Sequence, residues 1–320
     1  MRSVLVTGAS GLLGRQVHRV FEKDGWKATG TALSRPDPPN IIKLDITDAQ
    51  EFERILDEVK PEVVVHCAAN RFPDSCTANP EAAKKLNVDA SRTIASATAS
   101  RGIFLIYIST DYVFSGRPGE APYKPDSATD PPNMYGQTKL DGEKAVLSAT
   151  QNHPSAKNKT VILRVPILYG SCNEPSESAV NVLMSQLWTS QNVAPGAPKI
   201  KVEDYSLRFP TNTEDVGRVC LDICKLYLGP SNADRELPSI LQFSSEDQMT
   251  KWDICKAFSE LMGLPLDGME PFKPDEEPKD GVKRPYDCHL DTGALRELGI
   301  DVSTWNFENW WRREVRAFRH

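Results

Sequence analysis

The sequence of 320 residues lacks long apolar runs: no uncharged stretch approaches the roughly 18 apolar residues that a membrane-spanning helix needs. A secretory signal is missing as well, because Met1-Arg2-Ser3 leads straight into the apolar run Val4-Leu5-Val6. There is no excess of basic residues either, since 38 lysines and arginines stand against 44 acidic residues, a net charge of −6. We therefore expect a cytoplasmic protein that is not inserted in a membrane and is not a general binder of nucleic acid or membrane surfaces.

Cysteine motifs are also absent. The seven cysteines are an odd number, and they form neither a Cys-x-x-Cys pair nor another zinc-ligand spacing. We expect no metal site and a reducing compartment. What remains is an ordinary globular composition, with 39% hydrophobic, 8% aromatic and 26% charged residues. A chain of this length predicts one large domain or two closely joined ones.

Short apolar runs alternate with amphipathic segments over the first half of the chain. The predicted strands are 4–7, 27–33, 41–44, 62–66, 103–108 and 161–165. The predicted helices are 12–23, 48–59, 80–101 and 134–149. The unbroken valine run within 62–66 suits a sheet that is buried on both faces. This alternation predicts an α/β fold, a doubly wound parallel (Rossmann) sheet with helices on both sides.

The alternation stops after Pro166, where Pro-, Ser- and acid-rich segments begin. We expect one domain from residues 1–165 and about 209–228, and a smaller, irregular C-terminal lobe from about 166–208 and 229–304. Residues 305–320 form a tail with five aromatic residues and four arginines. Two interpretations of this tail stay open: a last helix docked on its own domain, or an aromatic and arginine anchor for a partner.

A glycine loop lies between the first strand and the first helix. Gly8, Gly11 and Gly14 have the spacing G-x-x-G-x-x-G. Glycines at this place allow a tight turn and a close approach of the backbone to a pyrophosphate, which then sits at the positive end of the helix. The loop therefore predicts a dinucleotide site.

The end of the second strand indicates which dinucleotide is bound. Ser34 and Arg35 offer a hydroxyl and a guanidinium to a 2′-phosphate, which favours NADP. Asp37 is close enough in sequence to be a ribose-binding acid instead, which would favour NAD. Asp45 and Ile46 follow the third strand, where they either flank the adenine or belong to a simple turn.

A tyrosine and a lysine lie four residues apart in the last predicted helix of the first half. Tyr135 and Lys139 share one face of that helix, and an ammonium beside a phenol lowers the phenol's pKa. Such a tyrosine can protonate a carbonyl oxygen while a nicotinamide delivers hydride. Thr110 ends a buried strand at the edge where doubly wound sheets bind ligands, so its hydroxyl is placed to orient that carbonyl.

These motifs resemble the extended short-chain dehydrogenases/reductases, and among them the dTDP-4-dehydrorhamnose reductases. The likeness is carried by 109–116 (STDYVFSG) and 135–143 (YGQTKLDGE). It implies a substrate-binding role for the smaller lobe and a catalytic triad of Thr110, Tyr135 and Lys139. It also implies an NADP site formed by Thr7, Gly8, Gly11, Leu12, Leu13, Gly14, Ser34, Arg35, Asp45, Ile46, Cys67, Arg71, Tyr135, Lys139 and Leu168.

A second branch of this family, the regulatory beta subunits of methionine adenosyltransferase, is more similar still. The likeness lies at 66–69, 164–170, 177–180, 207–211 and 248–251. It implies an NADP-binding regulator of S-adenosylmethionine synthesis, whose C-terminal tail contacts the methionine adenosyltransferase catalytic subunit.

Departures from the reductase pattern favour this second branch. The reductase motif D-Q-x-G-x-P-T loses its Gln and Gly at 204–211, and an Asn becomes Asp287 in 284–291. Ser115 stands where the reductases have Asp. The alternative is an NADPH-dependent reductase of a 4-keto-6-deoxy nucleotide sugar, with Tyr135 as the acid.

Overall fold

A computed structural model describes residues 1–151, 153, 158–232, 235–275 and 282–316. Its strands are β1 (Ser3–Thr7), β2 (Lys27–Ala32), β3 (Ile41–Lys43), β4 (Val63–His66), β5 (Phe104–Thr110), β6 (Thr160–Val165), β7 (Leu168–Tyr169), β8 (Ile200–Glu203), β9 (Thr211–Asn212), β10 (Ile240–Gln242) and β11 (Met269–Phe272). Its α-helices are α1 (Leu12–Lys23), α2 (Ala49–Val59), α3 (Pro73–Ala78), α4 (Pro80–Lys84), α5 (Ala90–Ser100), α6 (Met134–Gln151), α7 (Asn181–Ser190), α8 (Thr213–Tyr227), α9 (Lys251–Met262), α10 (Gly293–Glu297) and α11 (Phe307–Glu314).

Seven strands form one parallel sheet in the order β10-β6-β5-β4-β1-β2-β3. The strand order reverses between β1 and β4, as in doubly wound folds. Every residue of β4, β5 and β6 is buried, because helices cover both faces of the sheet. The predicted fold class is therefore confirmed.

Two hydrophobic cores lie on opposite faces of the sheet. On one face α1 and α8 pack together, and Val17, Phe21, Val219 and Ile223 belong to this core. On the other face Phe52, Ile55, Ile94 and Val146, from α2, α5 and α6, cover the sheet. Burial of this apolar surface is the main favourable term in forming the domain.

The predicted helix 80–101 contains a break that its sequence pattern does not show. A π-helical turn at Lys85–Asp89 separates α4 from α5. The turn inserts one residue into the helical repeat, and Asn87 within it is buried. Such turns are frequent at functional sites.

Part of the segment predicted for the smaller lobe belongs to the seven-stranded sheet instead. We expected 229–304 in the smaller lobe, but β10 extends the seven-stranded sheet beside β6. Leu241 and Phe243 belong to the core of the sheet, and so do Leu295 and Ile300 at and after α10. Because β10 has only three residues, its apolar pattern is too short to indicate a strand.

The smaller lobe has a core of its own, which the end of the chain completes. Helices α7, α9 and α11 pack around Tyr169, whose ring lies 5.0 Å from Phe307 and 5.2 Å from Trp310. The rings of Phe307, Trp310 and Trp311, all three in α11, are buried. Residues 307–314 are therefore a helix docked on its own lobe, while 317–320 lie outside the described residues.

Candidate functional site

A cleft of about 450 Å³ opens at the carboxyl ends of the parallel strands, where the strand order reverses. The predicted residues on its wall are Gly8, Gly11, Leu12, Leu13, Gly14, Ser34, Arg35, Asp45, Ile46, Cys67, Arg71, Thr110, Tyr135, Lys139 and Leu168. The fold thus brings together residues that are up to 160 positions apart in the sequence. Their individual roles toward a ligand stay predictions.

Thr7 is the predicted site residue that does not line the cleft. Its Oγ1 lies 2.7 Å from Nδ1 of His66, and Nε2 of His66 lies 3.1 Å from Oγ of Ser91. Desolvation by burial, together with the charge of Lys139, lowers the pKa of His66 to about 3, so its ring is neutral. Thr7 also accepts a hydrogen bond from the backbone N–H of Ala68, which lines the cleft, at 3.3 Å, and its role toward a cofactor stays a prediction.

The glycine loop packs too tightly for any larger residue at two positions. Gly8 has a φ of +68°, in the left-handed region. A Cβ on Gly14 would lie 2.2 Å from the carbonyl oxygen of Gly8. Helix α1 begins after Gly11 with no side-chain cap and no acidic residue in its first turn. Its first amide groups are therefore left for an anion at the positive end of the helix.

The three residues that the sequence offers for cofactor selection after β2 differ in their positions relative to the cleft. Ser34 and Arg35 line the cleft. Asp37 does not: its backbone forms a two-way bridge with Ile41, with both N–H···O distances at 2.9 Å. The cleft therefore presents the hydroxyl and the guanidinium, the groups that suit a 2′-phosphate.

Asp45 has a structural role besides its place on the wall. Its Oδ1 accepts hydrogen bonds from the backbone N–H and the hydroxyl of Thr47, at 2.9 and 2.8 Å. The backbone bond, followed by the hydroxyl, lowers the pKa of the carboxyl. Asp45 closes the turn after β3, and Ile46 beside it is buried.

Sequence reasoning missed two residues at this end of the cleft. Arg15 and Arg35 both donate to the carbonyl oxygen of Ser10, at 2.8 and 2.9 Å, and both form ion pairs with Glu177. Arg15 directly follows the last glycine of the loop, which was the available signal. Glu177 comes from the smaller lobe, and no local pattern brings it to β2.

Buried Thr110 and Lys139 and half-buried Tyr135 line the other end of the cleft. Lys139 Nζ donates to the carbonyl oxygen of Ile108 at 2.8 Å and lies 4.0 Å from the ring centre of Tyr107. Desolvation lowers the pKa of Lys139 to about 7.

The expected activation of Tyr135 by Lys139 is not what the structure shows. Burial raises the pKa of Tyr135, and a hydrogen bond with Thr110 opposes that rise. Lys139 is not among the main groups that shift this pKa, and its ammonium donates to the carbonyl oxygen of Ile108. Tyr135 is therefore protonated, the form that a proton donor requires.

The π-helical turn positions the loop after β4. Asn87 accepts from the backbone N–H of Asn70 at 2.8 Å and donates to its carbonyl at 2.9 Å. It also lies 3.0 Å from the hydroxyl of Thr138 on α6. Asn87 thereby fixes Arg71 and Cys67, which flank this loop, relative to the helix that carries Tyr135.

A second cavity of about 750 Å³ adjoins the first, and Ala179 lines both. Its basic lining residues are Arg117, Lys201, Lys251, Lys273, Lys283 and Arg284. The rings of Tyr205 and Tyr286 contact each other here at an angle of 47°, with ring centres 4.9 Å apart, and Lys273 Nζ lies 4.5 Å from the centre of the Tyr205 ring. Asp130, Glu203 and Asp275 line the cavity as well, and Arg117 and Lys251 form ion pairs with Asp130 and Glu203.

No helix in the described ranges is long and apolar enough to cross a membrane. Within those ranges, no three or more His, Cys, Asp or Glu side chains are grouped so that they could hold a metal ion.

Comparisons with known proteins agree with the geometry. The family model for the RmlD substrate binding domain matches residues 1–311. Methionine adenosyltransferase 2 subunit beta from Pongo abelii is 39% identical over 304 residues, covering 95% of this chain and 84% of that protein.

Solved structures show the same fold. A dTDP-4-dehydrorhamnose reductase from Clostridium acetobutylicum has a TM-score of 0.79 and 25% identity, covering 98% of both chains. The same enzyme from Bacillus anthracis, in complex with NADP, has a TM-score of 0.76 and 23% identity, covering 98% of this chain and 97% of that one. The resemblance that the motifs indicated is confirmed, and the chain belongs to the RmlD substrate binding domain family.

Proposed function

We propose that this chain is an NADP-binding regulatory subunit of methionine adenosyltransferase, which acts by binding the catalytic subunit. The observation that carries the proposal is the 39% identity, over 95% of this chain, with a protein named as the beta subunit of that enzyme. Because the match runs through both lobes, it supports a shared role for the whole chain rather than for the dinucleotide fold alone.

The cleft fits NADP. The uncapped start of α1 and the close packing of Gly14 on Gly8 leave room and free amides for a pyrophosphate. Arg15 and Arg35 would hold the 2′-phosphate, while Asp45 and Ile46 would flank the adenosine. At the far end Tyr135 and Lys139 would bind the nicotinamide ribose, with Cys67, Arg71 and Leu168 along the wall. When bound, NADP supplies a nicotinamide that can exchange hydride.

Cofactor selection can be tested with a matched pair of arginine variants. Arg35→Ala removes one of the two guanidinium groups at the adenosine end, whereas Arg54→Ala removes an exposed arginine on α2. We expect Arg35→Ala to weaken NADP binding about tenfold, the usual worth of a charge-assisted hydrogen bond. NAD binding should stay unchanged, and Arg54→Ala should alter neither. Equal losses for NADP and NAD would contradict the assignment of Arg35 to the 2′-phosphate.

The partner contact is proposed for the exposed side of the C-terminal tail. Phe307, Trp310 and Trp311 are buried in the smaller lobe, so they are not available to a partner. Trp305 is 38% exposed, and the Arg313 guanidinium lies 4.4 Å from its ring centre. Aromatic and arginine side chains of this kind are the usual anchors of protein interfaces. Residues 317–320 extend the same tail.

A truncation that tests the tail must keep α11, because the aromatic side chains of this helix are buried in the smaller lobe. Ending the chain after Val302 would remove α11 and open the core of the smaller lobe. Ending it after Arg316 leaves every described tail contact in place. We expect the chain that ends at Arg316 to keep its unfolding midpoint and to lose affinity for the catalytic subunit. Unchanged affinity would exclude 317–320 from the contact and confine the proposed surface to the side chains of Trp305 and Arg313.

Regulation itself is tested by the rate of S-adenosylmethionine formation. Adding this chain to the catalytic subunit of methionine adenosyltransferase should change the Vmax or the KM for methionine, with saturation at a fixed stoichiometry. Heat-denatured chain is the control. A rate and a KM that stay the same at saturating concentrations of this chain would contradict the proposed function.

A reductase is the second candidate, because the cleft is lined by Thr110, Tyr135 and Lys139 and a second cavity adjoins it at Ala179. In that function Tyr135 would donate a proton to a substrate carbonyl oxygen, and Thr110 would orient the carbonyl. Oxidation of NADPH with 4-keto-6-deoxy nucleotide sugars, followed at 340 nm, tests it. Turnover that Tyr135→Phe abolishes would support this function.

A further inference from the structure

Glu177 places a carboxylate between Arg35, which lines the cofactor cleft, and Arg15. Arg35 donates to its Oε1, and Arg15 Nη2 lies 2.7 Å from its Oε2. The Glu177 side chain is only 10% exposed. Both guanidinium groups also converge on the carbonyl oxygen of Ser10, so one small volume at the end of β2 holds two cations and one anion.

That volume adjoins the end of the cleft that the proposed function assigns to the adenosine of NADP, whose 2′-phosphate distinguishes it from NAD. Arginine binds carboxylates and phosphates through the same planar fork of N–H donors. Arg35 and Ser34 line the adenosine end of the cleft. We propose that the carboxylate of Glu177 occupies the place that the 2′-phosphate of NADP takes on Arg15 and Arg35, so that NADP binds by displacing Glu177. This inference rests on the proposed binding of NADP.

Charge prevents the two anions from sharing the site. A phosphate monoester carries a charge of about −1.5 to −2 and repels a neighbouring carboxylate. The Glu177 carboxylate is also incompletely hydrogen-bonded. Its buried Oε2 forms an ion pair with Arg15 but accepts no aligned hydrogen bond. A phosphate has three acceptor oxygens and can satisfy both guanidinium groups more fully.

Displacement would also release a segment of the smaller lobe. Glu177 ends a 3₁₀ turn at Pro175–Glu177, and Ser178 and Ala179 directly after it line the cleft. Helix α7 begins at Asn181. The ion pairs of Glu177 tie this turn to α1 and to the end of β2, so the 2′-phosphate would free the turn, whereas NAD, which lacks that group, would not.

Isothermal titration of the full-length protein with NADP and NAD tests the inference. Glu177→Gln keeps the shape of the side chain and removes its charge. We expect this variant to bind NADP about fivefold more tightly, the equivalent of one partly exposed ion pair, and to bind NAD as the wild type does. In the double variant with Arg35→Ala, the gain in NADP affinity caused by Glu177→Gln should be smaller. The carboxylate and the 2′-phosphate would then no longer compete for Arg35. Weaker NADP binding by Glu177→Gln would overturn the inference, because Glu177 would then orient the arginines for the phosphate. Unchanged NADP binding would overturn it as well, because Glu177 would then lie apart from the phosphate.

A second measurement uses the wild-type chain, so it does not depend on the folding of a variant. The backbone N–H of Glu177 donates to the carbonyl of Glu174, and that of Ser178 to Pro175. Hydrogen exchange at these two amides should be faster with saturating NADP than with saturating NAD. Equal or slower exchange with NADP would overturn the release of the turn. If the wild type binds neither dinucleotide, the proposed function fails; if it binds NADP but Glu177→Gln binds no more tightly, only this inference fails.

Discussion

Replacing Trp310 by alanine should destabilise the smaller lobe far more than the same change at Trp305. Trp310 is fully buried, with edge-on contacts to Tyr169 at 5.2 Å and to Trp311 at 5.0 Å. Removing a core tryptophan costs about 3–5 kcal/mol, because transfer free energy is lost and a cavity remains. Trp305 is 38% exposed and has one arginine over its ring, which is worth only about 0.5–1 kcal/mol.

Urea unfolding followed by far-UV circular dichroism measures this difference. With an m-value of about 3 kcal/mol/M, a loss of about 4 kcal/mol lowers the midpoint by about 1.3 M, and the Trp305→Ala loss lowers it by about 0.3 M. The two variants remove the same side chain from the same segment, so the comparison isolates burial. Equal midpoints for the two variants would refute the docking of α11 as a part of the core.

Three further predictions concern the cleft. Gly14→Ala should cost at least about 2 kcal/mol of stability and abolish NADP binding by titration, because its Cβ would meet the Gly8 oxygen at 2.2 Å; wild-type binding would contradict the packing. The pKa of His66 is about 3 in the folded chain and 6.5 in the unfolded one, so unfolded chains bind more protons below pH 6.5. Stability should therefore fall by about 2 kcal/mol from pH 7 to pH 5 through this residue. Urea unfolding of His66→Gln should show a smaller fall, and an equal fall would count against the assignment. Tyr135→Phe should abolish any NADPH oxidation and leave co-elution with the catalytic subunit unchanged; lost co-elution would contradict the regulatory role.

The sheet and the glycine loop could be predicted because their signals are local. Val63–His66 and Phe104–Thr110 are apolar runs bounded by turns, and the spacing of Gly8, Gly11 and Gly14 lies within seven residues. Parallel strands end at one edge, so residues at strand ends must meet there. This rule alone predicts that Thr110 and Arg35 line the same cleft, as they do.

The features that could not be predicted depend on distant contacts. Arg35 and Glu177 are 142 positions apart, and no pattern near either residue indicates the other. The π-helical turn around Asn87 is stabilised by contacts with Asn70 and with α6, not by its own sequence. The raised pKa of Tyr135 depends on burial, which the four-residue spacing to Lys139 does not report.

The most direct test of the central claim is co-elution in gel filtration with the methionine adenosyltransferase catalytic subunit of the same organism. The full-length chain would be run at micromolar concentration with NADP present, beside each protein alone. We predict one earlier-eluting peak that contains both proteins. Two separate peaks at the positions of the single proteins would contradict the account and leave the reductase as the function to test.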